Sequence, residues 1–190
     1  MPKVVDHEER RNEVIQGLWA VISERGIEGV TYARVAAAAR ISVGRIQHYF
    51  ESKDDLVVAG CQAMVDEALR PTGDDPWQVL FELLTSPIPQ TSAFRLGAAV
   101  WYAYMAHGVV NAEIGAIVAQ ASRVQVARAE ELLNSGHVPT NSSPRTAARL
   151  VGLSNGLTQR VLIGVMPAYE ALGLVSEEVD VLRQTFGEGQ

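Results

Sequence analysis

The stretch TYARVAAAARISVGRIQHYF, residues 31–50, decides the fold of the N-terminal region. Thr31 and Ser42 suit the position just before a helix, because their side-chain oxygens can accept a hydrogen bond from an unpaired N–H group of the first turn. They predict two short helices, Tyr32 to Ala39 and Val43 to Tyr49, with about three residues between them. Helices this short are not stable alone, so the pair must pack on neighbouring helices.

The second short helix has an inner and an outer face. Val43, Ile46 and Phe50 recur at helical spacing, so we expect them to pack on the first short helix. The outer face then carries Gly44, Arg45, Gln47 and His48. A short helix after a tight turn can enter the major groove of DNA, where arginine pairs with guanine and glutamine with adenine. Gly44 would let the backbone approach a phosphate. The alternative is a solvated helix face.

Further helices flank this pair on both sides. A helix from about His7 to Arg25 is predicted by the apolar series Val14, Leu18, Val21 and Ile22, and Gly26 suits its C-terminal cap. After the pair, Ser52-Lys53-Asp54-Asp55 is a variant of the capping box. It opens a helix that reaches about Leu69, before Pro71 and Gly73 interrupt the pattern.

The rest of the chain repeats apolar residues at helical spacing, and alternating residues never run long enough to predict a sheet. The predicted fold class is therefore all-α. We expect a three-helix head in residues 1–52, a helical body in residues 53–190, and helix 53–69 connecting the two. The further helices of the body are placed near Asp75 to Thr85, Gln90 to His107, Asn111 to Asn134, Pro144 to Val165 and Ser176 to Phe186.

Composition excludes several classes of protein. A hydrophobic content of 47% with 20% charged residues excludes a disordered chain, and the net charge of −6 argues against indiscriminate coating of nucleic acid. Residues 31–53 nevertheless carry four basic residues against Glu51 alone. The start of the chain lacks the apolar core of a signal peptide and the single Cys61 cannot form an internal disulfide, which predicts a cytoplasmic protein. The uncharged segment 96–112 is shorter than the roughly 20 residues of a membrane span, so we expect no membrane partner.

The same residues resemble the signature of TetR-type repressors. The resemblance covers about Val14 to Leu56 and rests on Val35-Ala36, Ile41-Ser42, Gly44, His48-Tyr49-Phe50 and Ser52-Lys53. It implies DNA contacts from Tyr32, Ala33, Val43, Gly44, Arg45, Gln47, His48, Tyr49 and Lys53. Among these, Arg45 and Gln47 are expected to read base edges. Phosphate contacts are expected from Thr31, Ser42, Tyr49 and Lys53.

Two positions depart from the family pattern. Arg40 stands where the family usually has the glycine of the turn, and Gln47 stands where it usually has tyrosine. A left-handed Arg40 would cost about 1 kcal/mol relative to glycine, so either the turn is tighter than usual or Arg40 is kept for a phosphate contact. Gln47 means that an operator sequence cannot be transferred from relatives.

A small-molecule site is expected in the body. The helix from Gln90 to His107 is rich in aromatic residues and has Arg95 as its one charged residue, so we expect it to be buried. Its segment 101–106 and the run 150–162 resemble the TetR branch that includes betaine-choline repressors. The resemblance implies a ligand cavity lined by Met64, Trp101, Tyr102, Tyr104, Met105, His107, Asn155 and Gln159. A neutral or anionic aromatic or aliphatic ligand suits a helix without acidic residues, and an aromatic cage for a quaternary ammonium stays open. Ordinary core packing is the alternative.

A two-fold operator requires two heads held about one DNA turn apart, so a homodimer is expected. The predicted interface is a stripe of small and branched residues at helical spacing, with the last helix beside it. The stripe consists of Ala147, Leu150, Val151, Ser154, Leu157, Thr158 and Val161. The alternative is that this stripe faces the subunit's own core.

Catalytic chemistry has little support in the sequence. The four histidines lie in separate segments without metal-ligand spacing, and Cys61 has no recognisable partner. We therefore predict no enzyme, no metal and no cofactor. The resemblance implies a repressor that a small-molecule effector releases from a palindromic double-stranded operator. The alternatives are a co-repressed or ligand-activated regulator, and a helical protein-interaction module without DNA activity.

Overall fold

The computed structural model describes residues 3–68 and 71–187, and these residues form helices with no strand among them. The predicted all-α fold class is confirmed. The helices in chain order are α1 (Lys3–Arg25), a 3-10 helix (Ile27–Gly29), α2 (Tyr32–Ala39), α3 (Val43–Tyr49), α4 (Lys53–Asp66), α5 (Pro76–Thr85), α6 (Ser92–Gly108), α7 (Ala112–Ser135), α8 (Ser143–Leu162) and α9 (Ala168–Phe186).

The predicted bounds of α2 and α3 coincide with the observed ones, and those of α9 do not. This helix begins at Ala168 after Pro167, eight residues before the predicted start at Ser176. Its first half buries Ala171 and Val175 on the same face as the later Val179 and Leu182. The sequence hides this face for two reasons. Gly173 is a poor helix former, and the apolar Leu174 lies off the buried face, where it is 36% exposed. α4 ends at Asp66, and its predicted end at Leu69 lies outside the described residues.

The prediction that the helix before His107 is buried is wrong for most of its length. α6 buries only Val100 and Tyr104, while Phe94 and Leu96 are 46% and 41% exposed. The prediction fails because a helix with a single charged residue can still leave apolar side chains at the surface, where single apolar residues are common.

Side-chain caps explain where the helices of the head begin. The Thr31 oxygen accepts a hydrogen bond from the Arg34 N–H at 3.3 Å, and the Ser42 oxygen accepts one from the Arg45 N–H at 3.3 Å. The Ser52 oxygen accepts from the Asp55 N–H at 3.0 Å. The Asp55 carboxylate in turn accepts from the Glu51 N–H, one residue before the position that a standard capping box uses.

The chain divides into two compact units. One contains the described residues up to Ala68 together with Ala99–Ala119, and the other contains Pro71–Ala98 together with Gln120–Gly187. We call them the first and the second unit. This division follows packing, whereas the predicted boundary at residue 52 separates functions. The functional boundary therefore stays a prediction.

The core of the first unit holds α2, α3 and α4 against α1. Leu18, Val35, Ile46, Phe50 and Leu56 are at most 1% exposed and belong to one apolar cluster. Burial of side chains of this size stabilises the fold by about 1.5–3 kcal/mol each. The head is therefore held by a continuous core, which fixes the orientation of α3.

The core of the second unit is formed by α5, α8 and α9 with the end of α7. Trp77 lies against Gly136, where a Cβ atom would approach the indole ring to 2.6 Å, so no larger residue fits there without movement. The Ser154 hydroxyl donates to the carbonyl of Leu84, and the Arg95 guanidinium donates to the carbonyls of Val161 and Leu162 at the end of α8. Arg95 thereby satisfies carbonyl groups that a helix end leaves unpaired.

Candidate nucleic-acid interface

The inner face of α3 is smaller than its apolar spacing predicts. Ile46 is 0% exposed and Phe50 is 1% exposed, so both pack into the core of the first unit as expected. Val43 is 37% exposed, and the prediction that it packs on α2 is wrong. The reason is its position as the first residue of α3, beside the exposed cap Ser42, where the helix has not yet reached the core.

The outer face of α3 presents all four predicted residues to solvent. Gly44, Arg45, Gln47 and His48 are exposed. A Cβ atom at Gly44 would have no neighbour within 4 Å, so the backbone there is open to close approach. The His48 ring meets the Tyr49 ring edge to face, with 5.2 Å between the centroids. This face can enter a groove of DNA without rearrangement of the core.

The predicted phosphate contacts differ in availability. Thr31, Ser42 and Lys53 are exposed, as is Ala33 at the start of α2. Tyr32 is half-buried, and its hydroxyl donates to the Phe50 carbonyl at 3.4 Å. Burial and the nearby Asp55 carboxylate raise the pKa of Tyr32, so it stays protonated at neutral pH. A phosphate would have to replace the Phe50 carbonyl as the acceptor of the hydrogen bond from the Tyr32 hydroxyl.

Basic side chains near α3 fall into two groups. The Arg34 guanidinium donates to the Gly29 carbonyl at 2.7 Å, and that of Arg11 lies 5.1 Å from the centroid of the Phe50 ring. Arg40, Arg45 and Lys53, in contrast, have exposed side chains with no hydrogen-bond or ion-pair partner in the part of the chain that the structure describes. The second group can meet an anionic ligand without first breaking an internal contact.

The turn between α2 and α3 places Arg40 in the left-handed region, with φ 56° and ψ 42°. The Ile41 N–H donates to the Ala36 carbonyl at 3.0 Å, and the Arg40 N–H donates to the Ala37 carbonyl at 3.3 Å. This is the Schellman arrangement, in which glycine is the usual left-handed residue. The turn is therefore not tighter than usual, and arginine costs about 1 kcal/mol relative to glycine here.

The predicted ligand residues are divided between the two units. Met64, Trp101, Tyr102, Tyr104, Met105 and His107 belong to the first unit, whereas Asn155 and Gln159 belong to the second. Within the first unit only Tyr104 is fully buried, and the other five are half-buried. In the second unit Asn155 is half-buried and Gln159 is exposed. Whether these eight residues line one cavity stays a prediction.

Tyr104 is the unusual member of this group. It is 0% exposed, and its hydroxyl is the one buried side-chain polar group among the described residues that lacks a hydrogen-bond partner. The nearby Trp19 indole N–H donates instead to the Gly60 carbonyl at 3.1 Å. A Cβ atom at Gly60 would lie 2.6 Å from the Tyr104 oxygen, so glycine provides the space for the hydroxyl. Burial, followed by the Cys61 thiolate, raises the pKa of Tyr104, so the group is a proton donor.

A separate small cleft of about 120 Å³ lies in the first unit. It is lined by Ile27, Glu28, Lys53, Asp54, Val57, His107, Asn111 and Ile114. Its charged rim is weakly paired, since His107 Nδ1 lies 3.9 Å from a Glu28 carboxylate oxygen. Of the predicted ligand residues, only His107 contributes to it.

The predicted dimer stripe of α8 is buried within its own subunit. Leu150, Ser154, Leu157 and Val161 are at most 6% exposed, and the rest of the stripe is equally buried. The apolar members belong to the core of the second unit. The stripe as predicted is therefore wrong as a surface for a second copy, and the alternative of internal packing holds. Helical spacing identified the buried face correctly but not what covers it.

No helix in residues 3–68 or 71–187 is both long and apolar enough to cross a membrane. Over the same ranges, no three or more histidine, cysteine, aspartate or glutamate side chains are grouped so that they could hold a metal ion.

Comparison with known proteins identifies relatives of the head and of the whole chain. Residues 14–59 match the family described as bacterial regulatory proteins, tetR family. The chain is 32% identical to the HTH-type transcriptional regulator PksA of Bacillus subtilis over 114 residues, which cover 56% of this chain and 55% of PksA. It is 34% identical to HbdR of an Aromatoleum species over 142 residues, which cover 74% of this chain and 56% of HbdR. The chain thus spans little more than half the length of these two curated relatives.

Other relatives match over the full length at lower identity. BetI of Burkholderia ambifaria is 26% identical over 194 residues, covering 96% of this chain and 98% of BetI. A transcriptional regulator from a Rhodococcus species superimposes with a TM-score of 0.81 at 21% identity, over 95% of this chain and 99% of its own. A regulator from Saccharomonospora viridis, determined in complex with choline, gives a TM-score of 0.81 at 20% identity, over 91% and 96%. The structural matches support the fold. PksA, HbdR and BetI are all described as helix-turn-helix transcriptional regulators. Residues 14–59 therefore form a DNA-binding head of the tetR family of bacterial regulatory proteins.

Proposed function

We propose that this protein is a sequence-specific DNA-binding transcriptional regulator, and that it acts as a repressor on a palindromic operator in the cytoplasm. The outer face of α3 is the observation that carries the proposal. Arg45 and Gln47 are exposed there beside the open backbone of Gly44, while the buried Ile46 anchors the opposite face of the helix in the core. Arginine and glutamine are the side chains that pair with guanine and adenine in the major groove. We assign the protein no catalytic activity and no cofactor.

Selection of duplexes from a random pool tests this proposal, and it requires no assumption about the operator sequence. We expect the protein to enrich a motif with two-fold symmetry and half-sites about one helical turn apart. The enriched duplex should bind roughly 10³-fold or more tightly than a scrambled duplex at the same salt concentration. A pool that stays random after repeated rounds would contradict the function.

The dimer that such an operator requires is proposed to form through the outer faces of α8 and α9. These helices pack against each other in the second unit, and Gly152, Gly156 and Gly173 have no neighbour within 4 Å of a Cβ position. Open glycines allow another backbone to approach closely. Exposed apolar residues accompany them, with Ile163 at 67% and Val181 at 61% exposure. These features support the outer faces in place of the buried stripe.

Sedimentation with Gly156→Glu tests this interface, because the new carboxylate would point into open space in the single subunit. We expect a dimer for the wild-type protein at micromolar concentration and a monomer for the variant, with an unchanged far-ultraviolet spectrum. Val124→Glu provides a matched control, since Val124 is 54% exposed on α7. Equal dimerisation of both variants would contradict the interface.

A small-molecule effector is proposed to bind near Tyr104 and to weaken operator binding by changing the separation of the two heads. The unpaired Tyr104 hydroxyl supports a ligand that offers a hydrogen-bond acceptor. A ligand that displaces the C-terminal half of α4 around Met64 would move the head, because α4 also packs on α1. A preference of about 1–3 kcal/mol for the non-binding spacing corresponds to a 5–150-fold loss of operator affinity. A co-repressor would act in the opposite direction.

A thermal-shift screen followed by operator titration tests the effector proposal. Choline is the first probe because the Saccharomonospora regulator binds it, and neutral aromatic compounds form the second set. We expect a stabilising compound to lower operator affinity and to lose its effect in Tyr104→Phe. A compound that stabilises the protein through Tyr104 but leaves operator affinity constant would contradict release by an effector.

A further inference from the structure

Arg40 occupies a backbone position that favours glycine. Its φ of 56° and ψ of 42° place it in the left-handed region, and the hydrogen bonds from Ile41 to Ala36 and from Arg40 to Ala37 fix that conformation. An amino acid with a side chain is strained in this region, and glycine is not. The turn therefore gains nothing from arginine as far as its backbone is concerned.

The rest of the subunit does not compensate this strain. The Arg40 side chain is exposed, and within residues 3–68 and 71–187 no carboxylate or carbonyl accepts a hydrogen bond from its guanidinium. Arg34, on the preceding helix, has such a partner, since its guanidinium donates to the Gly29 carbonyl at 2.7 Å. A strained residue with an unpaired cation is explained most simply by a partner outside the subunit.

The location of Arg40 identifies that partner as an anion. Arg40 lies two residues before Ser42, the cap of α3, so the two Cα atoms are at most about 7 Å apart. Arg45 and Lys53 are the other exposed basic side chains near α3 without a partner. None of the three cations, Arg40 included, forms an ion pair with a carboxylate among the described residues. A polyanion that meets Arg45 in a groove would present its backbone phosphates beside the turn.

We infer that Arg40 is a DNA-contacting residue that binds a backbone phosphate, and that the turn retains strain for this contact. The inference rests on the proposed function. A phosphate contact carries no sequence information, so Arg40 should strengthen binding to every duplex and add to its salt dependence. Stability and affinity are then opposed at this residue, because the side chain that binds DNA is the one that strains the turn.

Arg40→Gly and Arg40→Asn test the inference through two measurements that should move in opposite directions. Both residues tolerate the left-handed conformation without a charge, so the melting temperature should rise by about 2–4 °C for glycine and less for asparagine. Affinity for the selected operator and for a random-sequence duplex should fall together, by about tenfold. The slope of log K against log salt should flatten by about 0.9 for each head. Arg40→Lys should keep the wild-type slope and melting temperature.

Arg123→Gln is the control for loss of one positive charge, because Arg123 is exposed on α7, outside the head and outside the proposed dimer faces. It should leave the salt slope unchanged. The inference is overturned if the glycine and asparagine variants retain the wild-type affinity and slope on both duplexes. It is also overturned if they lose affinity for the operator alone, since Arg40 would then affect base reading. A wild-type protein that binds neither duplex would instead overturn the proposed function, and the inference with it.

Discussion

The outer face of α3 and the apolar stripe of α8 follow the same rule of helical spacing, yet they differ in what the spacing reveals. In α3 the buried Ile46 and the exposed Arg45 and Gln47 lie where the sequence predicts. In α8 the predicted stripe around Leu157 is buried, but its own subunit covers it. Periodicity identifies the residues that leave water, and it does not identify the chain that covers them.

Leu157→Ala should have the largest effect and separates the two explanations of the α8 stripe. Leu157 is 5% exposed within the second core, so its truncation should lower the free energy of unfolding by about 2–5 kcal/mol. Denaturant titration at several protein concentrations measures this loss, which should appear at every concentration. Arg123→Ala, at an exposed position of α7 outside the proposed dimer faces, should change stability little. A loss of stability that appears only as weaker dimerisation would instead support the α8 stripe as the dimer interface.

Arg45→Ala tests the exposed face of α3. We expect operator affinity to fall by about 1–3 kcal/mol with relaxed specificity at one base position, because a bidentate contact with guanine is lost. Random duplexes should lose much less, and the melting temperature should not change because Arg45 has no partner within the described chain. Fluorescence anisotropy with both duplexes measures the difference. Equal affinities before and after the change would mean that another face of α3 meets DNA.

Lys53→Ala should have a smaller and uniform effect. Lys53 begins α4 and is exposed, and a phosphate contact there contributes equally to all sequences. We expect operator and random duplexes to lose the same factor, about tenfold, with a salt slope flattened by about 0.9 for each head. Titrations at several salt concentrations provide the slopes. A loss restricted to the operator would assign Lys53 to base reading.

Tyr104→Phe should have the smallest effect, and its sign is opposite. Removal of an unpaired buried hydroxyl should raise the free energy of unfolding by about 1 kcal/mol at neutral pH. Because burial raises the pKa of Tyr104 above its usual 10.0, the native state favours the protonated form. The wild-type protein therefore loses stability as the pH rises above about 10, and the phenylalanine variant lacks this loss.

Denaturant titrations from neutral to alkaline pH measure this difference, with Tyr169→Phe as the control because Tyr169 is 77% exposed. A destabilised Tyr104→Phe protein at neutral pH would mean that the hydroxyl has a partner in solution.

The head could be predicted from the sequence because its signals are local. Thr31 and Ser42 fix the starts of two helices through contacts three residues away, and this spacing is visible in the sequence. The conformation of Arg40 remained open, because a glycine-like turn and a tighter turn are both compatible with arginine. Val43 was misplaced because position within a helix face does not tell how far the core extends.

The body was harder to predict because its contacts join distant segments. The Ser154 hydroxyl donates to the Leu84 carbonyl, 70 residues away in the sequence, and no local pattern predicts this pair. The exposure of Phe94 and the unpaired hydroxyl of Tyr104 likewise depend on how helices pack. The candidate ligand residues remain a prediction for the same reason, whereas the TetR-type signature of the head is local and visible in residues 14–59.

A double-mutant cycle between Arg45 and its base tests the central claim, that the exposed face of α3 reads sequence. The cycle measures operator affinity for the wild-type protein and Arg45→Ala, each with guanine and with 7-deazaguanine at one conserved guanine of each half-site. The substituted base lacks the N7 acceptor that arginine uses. We predict that 7-deazaguanine weakens wild-type binding by about 1–2 kcal/mol and leaves Arg45→Ala binding unchanged, because the contact is already absent. Equal losses for both proteins at every conserved guanine would contradict base reading by Arg45.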